Sequence, residues 1–203
     1  MASYEGSLRR EDLSDDPIDQ FAAWYAEAEG TSRLADAMAL ATADGEGRPA
    51  VRFVLLKGFG PDGFDFFTDY RSDKADQIEA NPQVALALWW RELGRQVRVT
   101  GSVERLDSAA SDAYFGSRPR EAQIGAWSSE QSAPLTDRAE LIGRVEETQG
   151  RWEGRDVERP PHWGGFRVAP EEIEFWQQGE ARLHDRFRYR RSGVGWEIER
   201  LSP

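Results

Sequence analysis

The sequence of 203 residues contains no cysteine, two histidines and two lysines. Without cysteine the chain forms no disulfide, no thiolate zinc site and no iron–sulfur cluster, and it has no thiol nucleophile. The two histidines, His162 and His184, lie in no metal-ligand motif, and no nucleophile elbow is present. This inventory supports neither a zinc hydrolase nor a Ser-His-Asp enzyme.

Long apolar runs and glycine-rich nucleotide motifs are also missing. No stretch reaches the ~18 apolar residues of a membrane span, and the first residues lack the features of a signal peptide. We therefore expect a cytoplasmic protein without a membrane partner. No G-x-G-x-x-G or Walker sequence occurs, so a nucleotide cofactor would bind outside a Rossmann fold. The net charge of −11 acts against nucleic-acid binding, and we expect none.

Apolar periodicity and turn residues divide the chain into helices and short strands. Helices are predicted over 14–30, 72–81, 108–115 and 135–152. Strands are predicted over 37–43, 50–57, 64–68, 83–90, 96–106, 165–168, 172–176, 186–191 and 195–199. This order predicts a mainly β protein of the α+β class, an antiparallel barrel with helices packed outside.

The two lysines stand in segments suited to an anionic ligand. Lys57 ends the apolar run 52–57, and Lys74 lies where a predicted strand gives way to a helix that begins near Ser72. An ammonium group, a hydroxyl and free helix N–H groups together suit a phosphate dianion. The alternative is that both lysines are solvated surface residues.

Two polar segments follow in the middle of the chain. Tyr114 and Arg118 are four residues apart, so they share one helix face and could hold a second anion. The alternative is an exposed helix end. The segment 123–132 is rich in amides and hydroxyls and poor in charge, which suits contacts to the edge of a heterocycle.

A third segment places a histidine between two arginines. If the chain is extended there, Arg182, His184 and Arg186 share one strand face. That face forms either an anionic-ligand site, which the neighbouring Trp176 favours, or an exposed basic ridge. His162 is interpreted as structural.

These segments occur together, in order, in one known family. Between Leu8 and Pro203 the sequence closely resembles pyridoxamine 5′-phosphate oxidases, and the segment 182–186, Arg-Leu-His-Asp-Arg, is specific to them and their near relatives. The resemblance rests on the segments 52–57, 67–68, 72–74, 95–97, 114–119, 123–127, 131–132, 162–166 and 176–186. It implies an FMN-binding split β-barrel over 14–203, preceded by a flexible segment or lid over 1–13. It also implies a homodimer with FMN at the subunit interface.

The resemblance also assigns roles residue by residue. It implies FMN contacts from Arg52, Val54, Leu55, Lys57, Phe67, Thr68, Lys74, Gln96, Gln131, Ser132, Trp176 and Arg186, with the phosphate near Arg52, Thr68 and Lys74. The substrate phosphate would be held by Lys57, Tyr114 and Arg118. Arg182 and His184 would lie over the substrate ring as the catalytic residues. No metal is implied.

Three positions depart from the family pattern. Asp73 stands where arginine is frequent, with Arg71 as the nearest replacement, and Ala122 stands where serine commonly binds the substrate phosphate. The missing serine hydroxyl removes one hydrogen bond, about 1 kcal/mol. The N-terminal segment is short, and Tyr4 aligns with a lid tyrosine only through a gap.

The expected activity is oxidation of pyridoxamine 5′-phosphate and pyridoxine 5′-phosphate to pyridoxal 5′-phosphate, with hydride transfer to FMN and reduction of oxygen to hydrogen peroxide. One alternative is a related split-barrel flavin oxidase that acts on another heterocycle, as in phenazine pathways. The other alternative is a non-catalytic protein that carries FMN or pyridoxal 5′-phosphate.

Overall fold

The computed structural model describes residues 7–203 as five α-helices and nine β-strands. The helices are α1 (Pro17–Thr31), α2 (Asp73–Ala80), α3 (Ser108–Ser117), α4 (Arg120–Ser128) and α5 (Arg138–Arg151). The strands are β1 (Ala37–Ala43), β2 (Pro49–Leu55), β3 (Gly58–Gly60), β4 (Gly63–Asp69), β5 (Gln83–Trp90), β6 (Arg95–Arg105), β7 (Trp163–Gln177), β8 (Asp185–Ser192) and β9 (Gly195–Leu201). No helix in this part of the chain is long and apolar enough to cross a bilayer.

All nine strands belong to one antiparallel sheet that curls into a split barrel. The strand order is β2-β1-β5-β6-β7-β4-β3, and β8 pairs with β7 and β9. The strand β7 joins the two parts of the sheet, because its first half pairs with β4 and its second half pairs with β8. The sequence predicts two strands here, whereas the structure has one strand that carries its irregularity opposite Thr100 and Gly101 of β6.

Two hydrophobic clusters hold the elements together. The larger one lies inside the curled sheet and includes Phe21 and Trp24 of α1, with Phe21 packed edge-on against Phe64 of β4 at 4.9 Å. The smaller one fixes α3, α4 and α5 over the start of β7 through Phe115, Ile124, Trp152, Val157 and Trp163. Partly buried residues at the edges of both clusters, Val54 at the larger and Phe67 at the smaller, line one pocket.

The predicted helix starts are largely confirmed. Asp16 caps α1, its carboxylate accepting the N–H of Ile18 at 2.7 Å, and Pro17 occupies the first turn as expected. Ser72 precedes α2, but its hydroxyl forms no cap and donates instead to the carbonyl of Asp69 at 2.7 Å. Helix α4 has no counterpart among the predicted helices.

The N-terminal segment is packed where it is described. Leu8 and Leu13 are buried in the larger cluster, and one 3₁₀ turn, Arg10–Asp12, joins them. The flexible segment or lid expected over 1–13 therefore contains two buried residues, Leu8 and Leu13, among exposed ones. Tyr4 lies outside the described residues.

Candidate active site

One pocket of about 440 Å³ collects many of the predicted site residues. It lies between β2, the end of β4, the start of α2 and the helices α3 and α4. Its lining includes Val54, Leu55, Lys57, Phe67, Thr68, Lys74, Tyr114, Arg118 and Gln131 from the expected set, together with Phe53, Asp69, Ala122, Gly125, Ala126, Ser129 and Trp163.

Lys74 forms one end of this pocket and is buried. Its ammonium donates to Thr68 Oγ1 at 3.0 Å, Ser72 Oγ at 3.0 Å and Gln131 Oε1 at 2.7 Å. All three acceptors are neutral, and no carboxylate in residues 7–203 forms an ion pair with Lys74. Burial, reinforced by the nearby charge of Arg52, lowers the pKa of Lys74 to about 8.

Arg52 supplies a second cation close to Lys74, although its side chain does not line the pocket. Its guanidinium donates to Thr42 Oγ1 at 2.6 Å, to Gln77 Oε1 at 2.9 Å and to the carbonyl of Leu40 at 3.3 Å. These partners are neutral too, and burial lowers the pKa of Arg52. Two like charges held together by neutral groups leave an excess of positive charge that suits a dianion.

A buried carboxylate supports the turn before Lys74. Asp69 accepts three hydrogen bonds from Arg71, at 2.8, 3.1 and 2.8 Å. Burial acts to raise the pKa of Asp69, but the hydrogen bonds and charge of Arg71 outweigh it and the pKa falls below its usual range. Arg71 is thereby committed to Asp69, so the suggestion that it replaces an arginine at Asp73 finds no support here.

Arg118 forms the other end of the pocket. Its side chain lies over the ring of Trp163, with the guanidinium carbon 4.5 Å from the ring centroid. The buried Nη1 of Arg118 has no hydrogen-bond partner among the described residues, and burial lowers the pKa of this arginine. A buried guanidinium with an unused donor indicates an anion site.

The residues around Arg118 complete this end. Tyr114 stacks on Phe67, with ring centroids 4.0 Å apart, and Ala122 lines the same pocket. Lys57 lies at the rim, where its ammonium pairs with Asp36 Oδ2 at 2.8 Å. The predicted grouping of Lys57, Tyr114 and Arg118 around one cavity is therefore present.

The remaining predicted residues lie in a second place, which we call the strand row. Gln96 of β6 is the direct neighbour of Trp176 of β7, which is the direct neighbour of Arg186 of β8. The ring of His184 packs on Trp176 with centroids 4.5 Å apart. None of these four side chains lines the pocket. Arg186 is held by the buried Glu174, with Nε and Oε1 2.8 Å apart.

The loop before β8 is not extended, so the condition for a shared strand face of Arg182, His184 and Arg186 is not met. Glu180–Arg182 is a 3₁₀ turn, and β8 begins only at Asp185, so Arg182, His184 and Arg186 do not share a strand face. Ala181 and Arg182 have φ values of 50° and 65°. The N–H of Gly179 donates to Nδ1 of His184 at 3.2 Å, so the neutral ring carries its proton on Nε2.

Ser132 lies near the Lys74 end without lining the pocket. Its φ of 75° is left-handed, and its hydroxyl accepts the N–H of Asp73, the first residue of α2, at 3.2 Å. Gln131 accepts from the Lys74 ammonium and Ser132 accepts from the Asp73 N–H, so both side chains occupy donors that an anion would use.

An exposed apolar face borders the pocket. Val51, Phe53 and Leu55 alternate along β2 and are 70%, 77% and 44% exposed. The neighbouring positions on β1 and β5 are alanines, for example Ala39 opposite Phe53 and Ala87 opposite Ala39. We call this the β2 face. Phe53 and Leu55 belong to both the β2 face and the pocket lining.

Some residues of the site were not predicted from the sequence. Gln77, which positions Arg52, and Asp69, which accepts from Arg71, are ordinary polar residues in the sequence. Trp89 is 49% exposed and packs against Trp176 with centroids 5.9 Å apart. Trp89 pairs with Gln96 across β5 and β6, so the strand alternation that places Gln96 could also have indicated it.

The fold defines a split-barrel protein, and the pocket between its sheet and helices is lined by cationic side chains. Residues 26–152 match the model of the pyridoxamine 5′-phosphate oxidase family, and residues 163–203 match the pyridoxine 5′-phosphate oxidase C-terminal dimerisation region. The chain belongs to the pyridoxamine 5′-phosphate oxidase family.

Curated relatives match over nearly the whole chain. The pyridoxine/pyridoxamine 5′-phosphate oxidase of Rubrobacter xylanophilus is 54% identical over 197 residues, 97% of this chain and 91% of that protein. The protein of the same name from Sphingopyxis alaskensis is 51% identical over 192 residues, 94% of this chain and 89% of that protein.

Solved structures confirm the split barrel. PhzG from Burkholderia lata 383, solved with tetrahydrophenazine-1-carboxylic acid, superposes with a TM-score of 0.93 at 30% identity, covering 100% of both chains. A pyridoxamine 5′-phosphate oxidase-related, FMN-binding protein from Nostoc punctiforme has a TM-score of 0.75 at 23% identity, covering 94% of this chain and 100% of that one. The second likeness concerns the fold alone.

Proposed function

We propose that the protein is an FMN-dependent oxidase that converts pyridoxamine 5′-phosphate and pyridoxine 5′-phosphate to pyridoxal 5′-phosphate. The observation that carries this proposal is one pocket with two separate cationic ends. Lys74 lines one end, with the charge of Arg52 close to it but outside the pocket lining, and Arg118 with Lys57 serves the other. A phosphorylated cofactor and a phosphorylated substrate need such a pair of ends.

The residues present fit FMN. Arg52, Thr68 and Lys74 would hold the phosphate, because two cations without ion-paired carboxylates favour a dianion. Gln131 and Ser132 already contact this end. Val54, Leu55 and Phe67 supply apolar pocket surface for the ring system. When bound, FMN would supply a hydride acceptor for the exocyclic 4-position carbon of the substrate.

A homodimer completes the site in this proposal. The strand row does not line the pocket of its own protomer, whereas the exposed β2 face shares Phe53 and Leu55 with that pocket. Burial of this face against a second copy would remove exposed phenylalanine and aliphatic surface from water. The matched dimerisation region, 163–203, contains Trp176, Arg182, His184 and Arg186. The partner would supply these residues to the flavin and the substrate.

The side chains around the substrate then have separate roles. Lys57, Tyr114 and Arg118 bind the substrate phosphate and so fix the position of its ring. Arg182 orients the ring and stabilises charge as the hydride leaves. His184 presents Nε2–H beside it, since Nδ1 is occupied by Gly179. Oxygen would be the final electron acceptor and yield hydrogen peroxide, and for the amine substrate water would release ammonia from the imine. We place the reaction in the cytoplasm.

A second candidate follows from the likeness to PhzG. The near-complete superposition favours a flavin oxidase acting on a phenazine-type carboxylic acid. Arg118 argues for the phosphorylated substrate, because its unused buried donor lies in the same pocket as Lys57 and Tyr114. A carrier without turnover remains the third alternative.

Hydrogen peroxide production separates these functions. The FMN-loaded protein is given pyridoxamine 5′-phosphate, the same amine without phosphate, and tetrahydrophenazine-1-carboxylic acid. The proposal expects peroxide in step with pyridoxal 5′-phosphate, and a much higher KM for the unphosphorylated amine. Turnover of the tetrahydrophenazine alone would assign the PhzG-type activity, and binding of pyridoxal 5′-phosphate without any peroxide would indicate the carrier.

A further inference from the structure

Asp185 is a buried carboxylate directly after His184 and opens strand β8. Its Oδ2 accepts the backbone N–H of Leu8 at 3.0 Å, and its Oδ1 contacts the guanidinium of Arg200 on β9. The side chain is 12% exposed. Three chain segments that are remote in sequence therefore meet at one carboxylate.

The segment that includes Leu8 is held at a second point by the same strand. The side chains of Leu8 and Leu13 are buried. The hydroxyl of Tyr189, four residues beyond Asp185, donates to the carbonyl of Ser14 at 2.7 Å. The Asp185 contact thus belongs to an ordered interface between β8 and residues 8–14.

The loop that precedes Asp185 needs support at both ends. Ala181 and Arg182 have left-handed backbone conformations, which are costly for residues with a side chain and persist only where the surroundings impose them. At the first end, Gly179 lies so close to Leu183 that a Cβ would come within 1.9 Å of the Leu183 carbonyl oxygen. The Gly179 N–H also binds His184. The second end is Asp185.

We propose that Asp185 is a positioning residue for this site, fixing Arg182 and His184 by tying the end of their loop to Leu8 and Arg200. Its carboxylate oxygens are both engaged in these contacts. Loss of the contacts would let the loop relax from its left-handed turn, and a misplacement of about 1 Å is enough to cost a large part of the rate. This inference rests on the proposed function.

The test compares Asp185→Asn with Glu172→Gln in the full-length, FMN-loaded protein. Glu172 is a matched control, because it also pairs with an arginine of β8, Arg190, at 2.8 Å, but on the exposed part of the sheet. Asp185→Asn should lower kcat for pyridoxamine 5′-phosphate by about tenfold with little change in the FMN dissociation constant. Asparagine has one acceptor oxygen and one NH2 group, so it cannot accept from both Leu8 and Arg200. With its oxygen on the charged Arg200, its NH2 group faces the Leu8 N–H, and hydrogen exchange at the Leu8 amide should become faster. Glu172→Gln should change none of these quantities.

Leu8→Pro keeps the inference testable even if Asp185→Asn folds poorly. Proline removes the N–H that Asp185 accepts, and Leu8→Ala removes the side chain but keeps that N–H. Leu8→Pro should lower kcat more than Leu8→Ala. In the double variant Leu8→Pro/Asp185→Asn, the fold-decrease in kcat should be smaller than the product of the two single-variant decreases, because both substitutions act on one contact.

The outcomes separate the two claims. The positioning role would be overturned if Asp185→Asn kept the wild-type kcat and slow hydrogen exchange at the Leu8 amide. It would also be overturned if the two single-variant decreases in kcat multiplied in the double variant. Neither outcome would contradict the proposed oxidase activity. Loss of FMN in proportion to kcat would also overturn the positioning role, because Asp185 would then act on the fold. A wild-type protein that binds FMN but does not oxidise pyridoxamine 5′-phosphate would reject the proposed function itself.

Discussion

Arg52 lies close enough to Lys74 for its charge to add to the effect of burial, and together they lower the pKa of Lys74 to about 8. Neither side chain forms an ion pair within the described part of the chain; Asp69 and Asp73 compensate only in part. Two buried cations without ion pairs lower the free energy of unfolding, and a bound dianion would raise it again.

FMN affinity should fall as the pH rises from 7 to 9. Below about pH 8 Lys74 is an ammonium in the free protein, whereas above it binding must take up a proton, so the dissociation constant should rise toward tenfold per pH unit. Flavin fluorescence titrations measure this. Riboflavin, which lacks the phosphate, should show no such slope, and neither should Lys74→Met. An equal slope in Lys74→Met would assign the titration to another group.

The same pKa shift predicts a stability change in the FMN-free protein. Because the folded pKa of Lys74 lies below its ordinary value of 10.5, the fold carries a penalty at pH values below about 8. That penalty disappears as the pH rises toward 10.5. Lys74→Met should therefore be more stable than the wild type at pH 7, and the difference should shrink by pH 9.5. Urea unfolding at the two pH values measures both quantities.

Arg118→Met should abolish tight binding of the phosphorylated substrate without destabilising the protein. The substitution removes a charge-assisted contact, about 1.5–3 kcal/mol, so KM should rise by about 10- to 100-fold. It also removes a buried guanidinium with an unpaired Nη1, so the melting temperature should not fall. Arg138→Met, at an exposed position, is the control. An unchanged KM would place the substrate phosphate elsewhere.

Ala122→Ser should tighten the substrate phosphate and leave FMN affinity unchanged. Ala122 lines the pocket together with Lys57, Tyr114 and Arg118, so a hydroxyl there gains a phosphate acceptor. One added hydrogen bond is worth about 1 kcal/mol, or roughly a fivefold lower KM. Ala126→Ser, in the same helix and pocket, tests whether any added hydroxyl does the same. A KM that is unchanged or higher would show that Ala122 does not face the phosphate.

Arg182→Ala and Arg186→Ala should have different effects. Arg182→Ala should lower kcat by tenfold or more with FMN content preserved, since Arg182 is assigned to the substrate. Arg186→Ala should reduce FMN content first, and it should also destabilise the protein because Glu174 loses one of its two arginine partners. Equal loss of flavin in the two variants would contradict this division of roles.

Phe53→Asp should produce a monomer that binds FMN weakly. Phe53 is 77% exposed at the centre of the β2 face and also lines the pocket. A carboxylate there would be costly to bury against a second copy. Val194→Asp is the matched control, because Val194 is fully exposed in the β8–β9 turn. Sedimentation velocity and flavin content report the result. A dimeric, yellow Phe53→Asp protein would exclude the β2 face as the interface.

The regular elements were predictable because local patterns determine them. Alternation along β6 places Val97 and Val99 inside the barrel and Gln96 outside it, as the sequence indicates. Helix α4 was missed because it has a central glycine, Gly125, and buries only Ile124 and Ser128, so its apolar periodicity is weak.

The site was less predictable because its chemistry depends on contacts that are remote in sequence. No feature of the sequence near Lys74 indicates that Gln131, 57 residues later, accepts a hydrogen bond from its ammonium. Arg182 and Arg186 would share a strand face only if the chain between them were extended, whereas two left-handed residues turn the chain before β8 begins. Such conformations are imposed by tertiary contacts, which alternation rules do not contain.

The separation of the pocket from the strand row has a genetic consequence. Trp163 in the pocket and Trp176 in the row are thirteen residues apart on β7, a contour of roughly 40 Å. If each site takes its pocket from one chain and its row, with the adjoining Arg182, from the other, an inactive Lys74 variant and an inactive Arg182 variant should complement each other. In a mixed dimer, one site would contain both substitutions and the other site would contain neither. Random reassociation of the two inactive proteins would then restore about a quarter of the wild-type sites.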